Sequence, residues 1–223
     1  MSFFQTLQSQ TEAARGELLA TPIIRRALAG RITLPEYAAF LEQAYHHVRH
    51  TVPLLMATGA RLPDRHGWLR TAVAEYIEEE IGHEEWILND LAACGYDPEA
   101  VRRSRPAMAT ELMVSYAYDT VARVNPLGFF GMVHVLEGTS IALADNAANS
   151  IRQALSLPKG AFSYLHSHGA LDLEHVAFFE NLMNRIEDPA DQAVIVHAAR
   201  VFYRLYGDIF RGLDGAQAPA LAA

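Results

Sequence analysis

Apolar positions recur along this chain with the three-and-four spacing of a helix almost from end to end. Phe4, Leu7, Thr11 and Ala14 mark one over residues 3–15, and a short helix is expected over 21–29. Thr33 and Glu36 have capping-box spacing, with Pro35 suited to a first turn. The helix they open runs to about His50, with Tyr37, Phe40, Leu41, Ala44, Tyr45 and Val48 as its apolar side. Pro53 kinks or ends it, and residues 54–60 resume it. Pro63-Asp64 opens a helix expected to reach Cys94 without a break, and Gly95 stops it. Asp97-Pro98 begins a short helix, and Pro106 another that reaches Val124. Asn125-Pro126 combines an N-cap with a first-turn proline, ahead of a long helix to Leu155. Residues 157–160 are a turn, 161–186 a helix, and Asp188-Pro189 opens the last one, which ends near Leu213. No stretch alternates with period two, and no repeat or linker is evident. The pattern predicts an all-α fold, one domain of about six to eight helices over residues 1–213, with 214–223 a frayed tail.

Composition narrows the function classes. With 223 residues, 51% of them apolar, the chain can bury a sizeable core. A net charge of −8 disfavours nucleic acid or an anionic membrane surface as partner. Lys159 is the only lysine, so the basic residues are nearly all arginine. Cys94 stands alone, which excludes an internal disulfide and a thiolate metal site. No basic segment followed by an apolar run opens the chain, and no run of about 18 uninterrupted apolar residues occurs, so a cytoplasmic protein without a membrane span is expected.

Three clusters carry chemistry. His168, Asp172 and His175 lie at i, i+4 and i+7, which on one helix places them within roughly 60° of each other. Two imidazoles and a carboxylate on one face suit a first-row divalent metal such as iron or manganese better than calcium or magnesium. They could equally form a hydrogen-bonded polar patch. Glu80 and His83 are neighbours at i, i+3 within Glu75–Glu85, a stretch that holds six acids and reads otherwise as an acidic surface. Gly82 weakens that helix by about 1 kcal/mol, so a bound cation would order it. Glu137 lies in apolar surroundings, where a carboxylate needs a metal or an arginine partner. His134 is a rival ligand, although its flanking valines suggest a packed core histidine. Glu42, His46 and His50 form a competing stripe, read here as pocket lining or support. Three carboxylates and three imidazoles over-supply one open metal and suit two.

A Glu-x-x-His pair, a lone Glu some fifty residues on, and His-x-x-x-Asp-x-x-His after about thirty more resemble the haem-oxygenase-like di-iron oxidases over about residues 20–210. The resemblance implies a bundle of about seven or eight helices, a homodimer, two irons (with manganese or a mixed pair possible), O2 and an external electron donor. It implies Glu80, His83, Glu137, His168, Asp172 and His175 as metal ligands and catalytic residues. Leu136, where the para-aminobenzoate-forming branch has Tyr, argues against self-modifying chemistry. A small organic substrate, an amino acid or fatty acid for example, is expected beside the metals, near Tyr45, His46, Phe129 and Phe130. The same fold houses a thiaminase-like hydrolase with a catalytic cysteine and could house a non-catalytic metal- or ligand-binding protein. Cys94, at a helix end, reads as structural, and no haem-binding histidine precedes His46.

Overall fold

The computed structural model describes residues 1–170, 172–214 and 219–222, and the side chains of 168–170 and 172–175 lie outside that description. The regular elements among the described residues are helices: α1 (Phe3–Leu19), α2 (Pro22–Leu28), α3 (Leu34–Val48), α4 (Thr51–Arg61), α5 (Leu69–Glu80), α6 (His83–Ala93), α7 (Pro98–Arg103), α8 (Met108–Asp119), α9 (Phe129–Leu155), α10 (Ser163–Ala170), α11 (Asp172–Asn184) and α12 (Pro189–Arg211). Their starts follow the side chains that satisfy free N–H groups. Thr33 and Glu36 form the expected reciprocal box, and Asp97, Asn125 and Asp188 each accept a backbone N–H two residues on.

The helix expected over 63–94 is in fact two. Ile81 is extended and Gly82 takes φ +93°, a left-handed conformation that ends α5 and starts α6. The segment expected as one helix over 161–186 holds α10 and α11, and residue 171 between them lies outside the described residues. The end of the tail is tied down, since Asp97 N–H donates to Ala220 O (2.9 Å) and Ala222 N–H to Gly95 O (3.0 Å).

α9 is the central helix, packed against α12, α10 and α2. By length and composition the stretch Pro126–Leu155 would be apolar enough to cross a membrane, but here it is a core helix with Glu137 in its middle. Its approach to α12 is close: a Cβ on Gly131 would lie 2.6 Å from Ala199 N and 2.8 Å from Ile195 O. α10 packs on both α9 and α6. Buried Asp90 on α6 fixes that contact by accepting the N–H groups of Ser163 and Tyr164 and the Ser163 hydroxyl. This carboxylate caps a helix that is not its own. At the other end of the bundle buried Asp191 accepts from His66 (2.7 Å), Asn125 (2.8 Å) and Arg65 (3.1 Å), joining α12 to the segments before α5 and α9.

Candidate metal centre

The break at Gly82 brings Glu80 and His83 together across the joint between α5 and α6. Glu80 Oε2 lies 3.0 Å from His83 Nδ1, with the imidazole 3% and the carboxylate 20% exposed. Two donors on one ion, each about 2.1 Å from it and at right angles, stand about 3 Å apart. His83 stacks on Trp86 at 4.2 Å between ring centres, which fixes the imidazole plane. Glu75, Glu78 and Glu79 face solvent, so the acidic-surface reading holds for them and not for Glu80.

Glu137 on α9 faces the same region. A cavity is bordered by Glu80, Glu137, Tyr76, His47 and Phe129, and a second opens on the other side of Glu137 toward Thr11 and His134. Burial, with Glu80 and Glu79 adding like charge, pushes the Glu137 carboxyl up to about 8, and the Tyr76 hydroxyl only partly offsets this. Burial, with Glu137, Glu79 and Glu80 adding their charge, drives the Tyr76 phenol well above its ordinary range. Among the described residues no arginine or lysine stands at ion-pair distance from Glu80 or Glu137. The arginine partner considered for Glu137 is therefore not found among them. Among the described residues, Glu80 and Glu137 thus share this region without an arginine or lysine counter-charge.

His168 falls within α10, and Asp172 and His175 within α11, but their side chains lie outside the described residues. Among the described residues alone, no group of three His, Cys, Asp or Glu side chains could hold a metal ion. The backbone does place α10 against α9 and α6, the helices of Glu137 and His83.

The other candidates resolve clearly. His134 is a packed histidine: it meets Thr11 Oγ1 at 3.2 Å, stacks on Phe179, and is pushed down to about 4 by burial, with Arg15 adding to the effect. The competing stripe is a network between helices. Ser104 Oγ lies 2.7 Å from Glu42 Oε1 and 2.9 Å from His46 Nε2, and His50 Nδ1 lies 3.1 Å from the Tyr118 hydroxyl. Of the expected lining residues only Phe129 borders the Glu80–Glu137 cavity. Tyr45 packs edge-on to His46, and Phe130 is fully buried in the core. His47, one residue on, takes the place expected for His46, because six consecutive residues of α3, 43–48, are buried and the apolar pattern could not say which faces the cavity. Tyr76 was missed too, although 76, 80 and 83 repeat the i, i+4, i+7 spacing of the last triplet.

Residues 38–207 match the family described as iron-containing redox enzymes. This chain belongs to that family. Comparison with curated proteins by sequence returned no match. Among solved structures the bundle is similar to a Shewanella denitrificans domain of unknown function with a haem-oxygenase-like fold. That pair superimposes at TM-score 0.86 over 96% of this chain and 93% of the other, with 23% identity. A TenA homologue from Pseudomonas syringae gives 0.82 over 96% and 93%, with 11% identity. Haem oxygenase-1 of the cyanobacterium Synechocystis, in complex with haem, gives 0.75 over 96% and 93%, with 14% identity. These likenesses establish the haem-oxygenase-like fold.

Proposed function

We propose that this protein is a non-haem di-iron oxidoreductase that uses O2 and an external reductant to oxidise a small organic molecule. The observation that carries this reading is the Glu80–His83 pair beside a second carboxylate, Glu137, with no arginine or lysine counter-charge among the described residues, in a chain of the iron-containing redox family. Glu80, His83 and Glu137 would hold metal together with His168, Asp172 and His175 from the sequence motif. Two bound ferrous ions would supply O2 binding and the electrons to reduce it.

The chain's own residues prepare that site. Glu80 and Glu137 bring negative charge that favours the higher charge states of a cation. The Tyr76 phenol, neutral at any physiological pH, can keep its proton beside Glu137. His47 stands on the cavity wall, edge-on to Tyr206. Phe129, Met132 and Leu136 restrict water on the α9 side. The hydrolase alternative needs a nucleophilic thiol, and Cys94 is buried and pushed up to about 12 by that burial, with Asp90 adding to it.

Metal analysis of protein stripped by chelator and reloaded without oxygen tests the reading. Two irons per chain are expected, and both His83→Ala and Glu137→Ala should lower the count. Iron content unaffected by either change would contradict it.

A further inference from the structure

A further cavity lies along α9 beside the Glu80–Glu137 cavity. Its walls are apolar, with Ile23, Leu28, Phe40, Leu143 and Phe210 among them. Among the described residues Glu36 is the only charged one that borders it, and Arg26 holds that carboxylate at 2.7 Å. Ser140, Tyr164 and Tyr206 border both this cavity and the one that holds Glu80 and Glu137. The two spaces therefore adjoin at three hydroxyl-bearing side chains.

On α9 the spacing is regular. Glu137, Ser140, Ala144, Ala147 and Ile151 follow at three, four, three and four residues, so they form one stripe. Glu137 stands at its metal end, and the other four border the apolar cavity. Small side chains leave a trough there. From Ser140 to Ala147 it extends about 10 Å, at 1.5 Å per residue. An apolar space along α9 whose one described bordering charge is already paired suits a hydrocarbon chain, whose only large energetic term is removal from water.

We infer that the substrate carries an unbranched apolar chain, which lies in this cavity with its reactive end toward Glu137, and that Ala144 and Ala147 set the chain length accepted. This rests on the Glu80–His83–Glu137 cavity as the reacting end. Ala144, one turn beyond Ser140, limits the chain sooner than Ala147.

Straight-chain 1-alkanols from butanol to dodecanol, titrated calorimetrically into metal-free protein and into ferrous protein under argon, test this without turnover. Affinity should rise about fourfold per methylene, the equivalent of about 0.8 kcal/mol, and then level off. Ala147→Phe should move the plateau to shorter alcohols, and Ala144→Phe further still. Ala147→Leu, a milder change at a half-buried position, serves if Ala144→Phe fails to fold. Affinity independent of chain length in wild type, or a plateau unmoved in folded variants, would overturn the inference even with two irons bound. Length-dependent binding in a protein that takes up no iron would overturn the functional reading alone.

Discussion

Glu137 is the residue on which the site turns. Its folded-state value of about 8 is above the ordinary 4.5, so the metal-free protein gains a proton on folding between those values. Stability contributed by that proton is fully present below about 4.5 and is lost as pH rises through about 8. The melting temperature of metal-free protein should fall over that range, and Glu137→Gln should flatten the profile while removing the rise in melting temperature that iron produces. A slope unchanged by the substitution would contradict the assignment. Asp191 behaves in the opposite sense. Burial raises its carboxyl, but hydrogen bonds from His66, Asn125 and Arg65 outweigh this and hold it below its ordinary 3.8. Its stability is present above that value and is lost as pH falls through the folded one. Asp191→Ala, which leaves His66 and Asn125 without their buried partner, should cost about 3–5 kcal/mol in denaturant unfolding without changing iron content. At this scale the sequence carried types and spacings. Glu137 was legible because a lone acid in an apolar helix needs a reason. Asp191 was not, because its three partners come from other elements more than sixty positions away.

Among the elements, the caps and prolines read correctly because their physics is local. The Thr33 box and the Asn125-Pro126 start depend on no distant contact. The break at Gly82 was visible only as a weakness, since Gly inside a helix and Gly between two helices look alike until φ is known. That joint holds Glu80 against His83, so its order should depend on metal: amide exchange across residues 75–86 should slow on iron loading, and equal protection in both states would contradict this. Gly131 shows a second kind of constraint that sequence alone conceals. A Cβ there would push into the α12 backbone at Ile195 and Ala199, so Gly131→Ala should cost about 1–3 kcal/mol as an overpacked contact, read by thermal unfolding. A neutral effect would mean that α9 and α12 separate without cost.

For the whole molecule, helical periodicity sufficed for the fold class, because every long segment buries one stripe against α9 or its neighbours. The ordering of motifs along the chain was legible as family membership, which the match over residues 38–207 bears out. The cavities were not legible. Which of His46 and His47 faces Glu80, and that small residues on α9 leave an apolar trough, depend on how helices distant in sequence lean together. The central claim is that this fold assembles two irons to react with O2. Its most direct test is anaerobic titration of metal-free protein with Fe(II), followed by mixing with O2, read by optical and Mössbauer spectra. Uptake should saturate at two ferrous ions per chain, all of which O2 oxidises, with saturation lowered in His83→Ala and Glu137→Ala. No uptake, or uptake that neither substitution diminishes, would contradict the account.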